Sequence, residues 1–592
     1  MQLTIDLAAL RVARQPSAMS DATPVPTWSE DGEVAVLCNV EPAHDAGGAQ
    51  ARAALISRAW LDAYRIRPGA WPDLASVEAA GAIVDLRRAE VFAAVDRMGL
   101  QTLYWSRDGD RLRIASRAVD ALPAPAGRPE LDPTALYCYV YFHHVPSPLS
   151  VFRGVAKLPR AHVLHSKGGD IEVGRYRLEA FRQHADADLD HLSRELLEAL
   201  RVAVSRSMNG EATVGAFLSG GLDSSTVAGL MAEQLRPELG RSFSIGFDAA
   251  GYDELEYARI AVRHFGLEGH EHYLTPEDVL ASARPLLRST DEPFGNSSIA
   301  ATYQCALLAR DAGIARMLAG DGGDELFAGN ARYTKQLLFE RYLKLPAPLR
   351  RGLLEPLIGP LGRALPSSVF GKAARYIEQA NVALPDRLQS YNYLHRHAPS
   401  EVFVDAFLES VDAALPLQLW RQEYATPDHG DAVDRMLFLD WAFTLHDNDL
   451  VKVNTACRAA GMAVAYPMLD HALVDLCCRL PGSLKMRGEE LRWFYKYATR
   501  GLLPPEIIGK SKHGFGLPFG VWTRTHPGLR RLSEDALESL AGRGIFRGEF
   551  LRETLRLHRE GHAAYYGELV WVLMALELWL EANVGPREPQ AA

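Results

Sequence analysis

The chain has 592 residues, enough for two to four domains at roughly 150 residues each. Its 64 basic and 74 acidic residues leave a net charge of −10, which argues against a protein built to neutralise phosphates across its surface, and so against a nucleic-acid partner. Hydrophobic residues at 48% and charged residues at 23%, with 48 Gly and 34 Pro, exclude collagen-like, disordered and disulfide-scaffold classes.

In chain order, residues 1–20 are broken by Asp6 and Arg11 before any apolar run reaches signal length, so an uncleaved, cytoplasmic protein is expected. Short β-type runs follow at 33–40, 82–86, 102–105 and 112–115, a texture that predicts antiparallel sheets. The polar stretch 183–188 marks a boundary, after which Leu189, Leu192, Leu196, Leu197, Leu200 and Val204 recur at helical spacing. Strand-like runs at 213–218, 243–247 and 315–319 then alternate with helical ones, which predicts a parallel sheet with helices on both faces. From about residue 335 the pattern reads helical, with breaks at Pro346, Pro348 and Pro360. The apolar run 569–576 is too short for the roughly 20 residues of a membrane span and predicts a buried helix, with no membrane partner. Cys38, Cys138, Cys305, Cys457, Cys477 and Cys478 form no C-x-x-C pair, which fits a reducing compartment without structural zinc.

The most informative stretch is Ser219, Gly220, Gly221, Leu222, Asp223, Ser224 and Ser225, between the strand ending at Leu218 and a helix. Paired glycines let the backbone turn and present N–H groups, the serines add donors, and the helix N-terminus adds positive dipole, which together make an anion cradle. No Gly-Lys-Ser/Thr follows, so it is not a Walker loop. A second acidic glycine loop runs from Gly320 and Asp321 through Gly322, Gly323, Asp324 and Glu325 to Gly329. Asp223 and Asp324, each after a parallel strand, would converge where open α/β sheets bind ligands. His264, His270 and His272 read as surface or capping residues, not a metal box.

The first loop resembles the pyrophosphate-binding loop of the ATP pyrophosphatases, and later motifs narrow the resemblance to the asparagine synthetase family. These motifs are Phe243 to Asp248, the second glycine loop, Tyr466-Pro467-Met468-Leu469-Asp470, and Lys510-Ser511-Lys512-His513-Gly514-Phe515-Gly516. The resemblance implies an α/β protein of two domains. An N-terminal antiparallel-sheet, Ntn-type glutaminase-like domain would span 1–182, and a parallel-sheet ATP-pyrophosphatase domain, adenine nucleotide alpha hydrolase-like with a helical C-terminal part, would span 189–592. It further implies ATP and Mg²⁺ as cofactors. ATP would be bound by Ser219, Gly220, Gly221, Asp223, Ser224, Ser225, Ile245 and Gly320, and magnesium by Asp223 and Asp324. Lys512 and Asp321 take catalytic roles, and Lys452 lies in a similar segment. The substrates would be a small-molecule or peptide carboxylate and an amine or ammonia.

Two features depart from the family pattern. The segments Asp96-Arg97-Met98-Gly99, Val145-Pro146-Ser147-Pro148 and Lys157 to His162 resemble a class II glutaminase, whose chemistry needs an N-terminal cysteine as nucleophile. Position 2 is Gln2, and Cys38 sits in an apolar run, so the domain is expected to be inactive. The stretch Met462 to Tyr466 also lacks the glutamate and arginine common in the family. Beta-lactam synthetases and lasso peptide cyclases resemble the chain in lacking a working glutaminase, so an intramolecular cyclase stands as an alternative to an amide synthetase. A silent nucleotide-binding scaffold is a third reading, opposed by the presence of Asp223, Asp324 and Lys512.

Overall fold

In the computed structural model, every residue is described except 7–10, 14–25, 40–45, 69–78, 124–127, 182–187, 210–212, 250–251, 391, 511–515 and 586–592. The N-terminal strands are β1 (Gln2–Asp6), β2 (Arg11–Ala13), β3 (Thr27–Trp28), β4 (Val34–Asn39), β5 (Ala80–Asp85), β6 (Glu90–Ala94), β7 (Tyr104–Asp108), β8 (Arg111–Ala115), β9 (Val155–Lys157), β10 (His162–Lys167) and β11 (Asp170–Arg175). They form two antiparallel sheets, ordered β2-β1-β8-β7-β9 and β11-β10-β6-β5-β4-β3. Alternation sends Ile5, Leu112 and Ile114 of one sheet and Val84, Val91 and Leu164 of the other into a shared core, so the sheets pack face to face. Helix α1 (Ala46–Ile66) covers the far side of the second sheet with Trp60, Leu61 and Tyr64 against Val36, Ile83 and Phe92. Neither α1 nor α2 (Pro133–Phe142) follows from the strand-like texture of this region.

A five-stranded parallel sheet follows: β12 (Val214–Phe217), β13 (Arg241–Phe247), β14 (Glu268–Leu274), β15 (Arg316–Leu318) and β16 (Ala463–Ala465), in the order β14-β13-β12-β15-β16. The chain moves outward from β12 to β14 and then returns to the other side of β12 as β15. The strand order therefore reverses between β12 and β15, the switch point at which open α/β sheets leave a crevice. Helices α3 (Leu189–Met208), α4 (Leu222–Leu235), α5 (Leu255–Phe265), α6 (Pro276–Arg288) and α7 (Ile299–Asp311) accompany these strands, and their apolar residues join the strands in one large core.

Beyond β15 come α8 (Gly323–Phe327), α9 (Arg332–Leu343), α10 (Ala347–Leu349), α11 (Glu355–Ala364) and α12 (Val369–Ala380). Pro346 and Pro348 mark a helix start as expected, but Pro360 lies inside α11 and does not end it. The proline is exposed, so its ring meets solvent on the outer face of the helix. Helix Ala563–Asn583 has the length and composition to cross a membrane, yet Trp571, Trp579 and Leu576 are fully buried in the protein core. Its buried Glu577 is paired with Arg543 at 2.6 Å.

The two sheet systems meet through a buried polar seam. Lys157 Nζ donates to Val145 O at 2.6 Å and lies 2.7 Å from Glu292 and 3.6 Å from Asp447. Tyr104 Oη donates to Glu292 at 3.1 Å, and Ser147 N–H donates to Asp447 at 2.8 Å. Arg97 is clasped by Glu179 and by Asp475, the latter at 2.7 Å. The turn beside it is anchored by Asp96, whose carboxylate accepts the N–H groups of Met98, Gly99 and Leu100. Gly99 is at φ +75°, where a Cβ would collide with the His446 ring, and its carbonyl lies 2.8 Å from His446 Nδ1.

Candidate active site

The loop after β12 turns sharply at Gly220, φ +67°, and presses on the start of α5 so closely that a Cβ would collide with the backbone at Tyr257 and Ala258. Ser219 Oγ and Ser224 Oγ are 3.0 Å apart and brace the turn. Gly221 caps α4 without a side-chain acceptor, so the first N–H groups of this 14-residue helix point toward the crevice with their dipole. Asp223 is in its first turn, and Ser225 is fully buried with no hydrogen-bond partner for Oγ.

The loop after β15 leans on the first. A Cβ on Gly320 would stand 2.7 Å from Ser224 N, and one on Gly323 would collide with the Asp223 carboxylate. One on Gly329 would collide with Asp324. Glycine at these positions lets the two carboxylates approach each other across the switch point.

Between them lies Arg492, which no sequence motif singled out. Its Nη2 is 2.5 Å from Asp223 Oδ1 and 3.3 Å from Asp324 Oδ1. The backbone of Arg492 is left-handed at φ +58°, the guanidinium is almost fully buried, and it lies 5.2 Å from the Tyr495 ring. Tyr495 Oη donates to Thr226 Oγ1 of α4 at 2.9 Å. The only sequence signal was a basic residue just before a short aromatic helix; nothing local ties it to loops 170 or more residues upstream.

A second charged group lies alongside. Lys452 Nζ is 2.8 Å from Asp449 and 3.8 Å from Asp321. Burial pushes the Asp321 carboxyl up to about 6 against the pull of Lys452, and burial next to Asp449 pushes Glu325 up to about 8. Lys452 itself is held above its ordinary value by Asp449 and Asp321, against the cost of its burial. Glu325 is therefore mostly protonated at neutral pH, and Asp321 titrates just below it.

A solvent-open pocket of about 310 Å³ borders the first loop, lined by Leu218, Ser219, Ile245, Tyr252, Glu254 and Ala258. Lys510 closes one side, 2.9 Å from Glu254 and 4.5 Å from the Tyr257 ring centroid. Thus Ser219, Gly220, Gly221, Asp223, Ser224, Ser225, Gly320, Asp321 and Asp324 share one crevice and Ile245 the adjoining pocket. Lys512 lies outside the described residues. The three histidines do not converge: His264 meets Leu502 O, His270 pairs with Glu268, and His272 pairs with Asp278, the capping residue of α6.

Among the described residues no group of three or more His, Cys, Asp or Glu side chains could hold a metal. The crevice nonetheless suits magnesium, which binds through one or two carboxylates and completes its shell with phosphate and water oxygens. Two aspartates already converge on one cationic group there.

Fold and site together define an α/β protein that joins an antiparallel sandwich to a parallel sheet with an anion cradle and paired aspartates at its switch point. An asparagine synthase family model matches residues 195–581, and a glutamine amidotransferase domain model matches residues 79–177. The chain belongs to the asparagine synthase family. It is similar to asparagine synthetase (glutamine-hydrolyzing) 1 of Bacillus subtilis, 23% identical across 84% of this chain and 76% of that one. A putative asparagine synthetase (glutamine-hydrolyzing) of Mycobacterium tuberculosis is 26% identical across 86% of this chain and 78% of its own. Glutamine phosphoribosylpyrophosphate amidotransferase from B. subtilis, solved with ADP and GMP, aligns over 50% of this chain and 64% of that one at 11% identity and a TM-score of 0.15, on which nothing here rests.

Proposed function

We propose that the protein is an ATP-dependent, AMP-forming amide synthetase that activates a carboxylate and passes the acyl group to ammonia or an amine. The observation that carries this reading is the meeting of Asp223 and Asp324 around one cation position, beside the uncapped N-terminus of α4. Residues 1–182 form a glutaminase-like domain in this reading and 189–592 the synthetase domain.

The pocket beside Ile245 would take the adenine end of ATP, and the Ser219–Ser225 cradle the phosphates. A carboxylate oxygen attacks the α-phosphorus, and the bond to the bridging oxygen breaks so that pyrophosphate leaves with the electron pair. Magnesium held by Asp223 and Asp324 would neutralise phosphate charge. Lys512 would add a fixed cation to the phosphates. The amine then attacks the acyl carbon, AMP departs, and the ammonium proton passes to a carboxylate. Asp321 and Glu325, with carboxyls at about 6 and about 8, are matched to accept it near neutral pH.

Glutamine is not expected to be the nitrogen source. The described thiols of the N-terminal domain, Cys38 and Cys138, are buried, burial pushes Cys38 up to about 12 and raises Cys138 as well, and β1 carries Gln2. Neither thiol offers the thiolate that glutamine hydrolysis needs. The purified protein with ATP, Mg²⁺, a panel of carboxylates and either ammonia or glutamine should form AMP and pyrophosphate with ammonia or an amine and release no glutamate above background. ADP and phosphate as products would overturn the reaction type, and glutamate release abolished by Cys38→Ala would overturn the inactive glutaminase.

A further inference from the structure

The helices α9 to α12 stand apart from the main core around a small cluster of their own, built from Phe339, Tyr342, Ala380, Tyr376 and Ile377. Their outer side is not polar. Leu345, Leu349, Leu353, Leu357, Leu361 and Leu365 recur at every fourth position, each between 39% and 55% exposed, and Val369 continues the row at 79%. A row spaced by four drifts slowly around a 3.6-residue helix, and the wider π-type turn across Arg350–Leu354 takes up part of that drift. The leucines therefore form one ridge along the hairpin. A monomeric surface seldom leaves such a continuous apolar row in water.

The charge beside the ridge has one sign. Residues 332–380 hold nine basic side chains and three acidic ones in a chain whose net charge is −10. Two of the three carboxylates are turned inward: Glu340 is bound by Arg387, and Glu355 accepts from Tyr342 at 3.1 Å. Arg341, Lys344, Arg351, Arg363, Lys372 and Arg375 are all exposed. An amphipathic helix with leucines on one side and cations along the margin matches the boundary between acyl chains and anionic headgroups. The ridge is convex, so it offers no groove for a peptide. The absence of a spanning run in the sequence excludes a transmembrane segment there but not adsorption to a surface.

We propose that the α10–α12 hairpin docks the protein on an anionic phospholipid surface, with the leucine ridge among the headgroups and the flanking cations on their phosphates. Because α9 leads from the acidic glycine loop directly into this hairpin, docking would hold the crevice close to the lipid.

The test is flotation of the full chain with phosphatidylcholine vesicles, with and without phosphatidylglycerol. We expect at least tenfold tighter binding to the anionic vesicles, weakened by salt. Leu353→Glu combined with Leu357→Glu should abolish it, and Arg351→Glu combined with Arg363→Glu should weaken it more than tenfold. Melting temperatures should stay within about 2 °C of the parent, since these side chains lie on the surface. Equal binding to both vesicle types, no binding to either, or binding unchanged in the leucine variant overturns the proposal. Self-association of the parent that is lost in the leucine variant, without vesicle binding, assigns the ridge to a second copy of the chain and overturns it too.

Discussion

At the scale of single residues, the crevice is organised by one guanidinium between two carboxylates. Removing it leaves Asp223 and Asp324 facing each other without a cation, so Arg492→Ala should lower the melting temperature in metal-free buffer. The same variant should gain more from added Mg²⁺ than the parent does, because the two carboxylates then have only the metal to neutralise them. Equal gains in both proteins would show that magnesium does not bind at this pair. Asp223→Asn and Asp324→Asn should each reduce pyrophosphate formation at least a hundredfold while the melting temperature holds. Glu325 makes a prediction about pH. The fold raises its carboxyl from an ordinary 4.5 to about 8, so the native state holds the proton more tightly than the unfolded chain. That contribution is complete below about pH 4.5 and is lost as pH rises through 8. Gln is a neutral mimic of the protonated form, so Glu325→Gln should match the parent near pH 5 and be more stable at pH 9, on the order of a few kcal/mol. Denaturant titrations at the two pH values check this.

At the scale of elements, two loops reach the same point because glycines allow their backbones to approach. Gly323→Ala sets a methyl against the Asp223 carboxylate and 2.8 Å from Arg492 Nη2, contacts that a loop held between β15 and α8 can relieve only by shifting. We expect a loss of about 1–3 kcal/mol in stability and a larger proportional loss of pyrophosphate formation, read from denaturant titration and steady-state rates. The loop residues were legible in the sequence because turn chemistry is local: paired glycines after an apolar run and before a helix have few other uses. So were β12, β13 and β15, whose apolar runs are continuous because both faces are covered. β14 was not, since Glu268, His270, Glu271 and His272 interrupt the pattern of an edge strand. β16, only Ala463–Ala465, is too short to announce itself and is a strand because β15 offers it a partner.

At the scale of the whole molecule, the segments that resemble a glutaminase hold the two halves together. Arg97, Gly99, Ser147 and Lys157 each bind a residue of the C-terminal half. Lys157→Met should cost about 3–5 kcal/mol, because Glu292 and Asp447 would remain buried without their cation. Adding Glu292→Gln should recover part of that loss, and no recovery would mean that packing, not charge, makes the seam. The sequence by itself determined the class of each half, the order of the parallel strands it could see, and the residues of both loops, because strand periodicity and turn chemistry act within a few neighbours. Only the tertiary structure decided that Arg492 stands between Asp223 and Asp324, that Asp321 and Glu325 are buried far enough to shift into the neutral range, and that a row of leucines faces outward. Those properties depend on which distant segments exclude water from a side chain, and a residue's solvation is set by the fold around it, not by its neighbours in the chain.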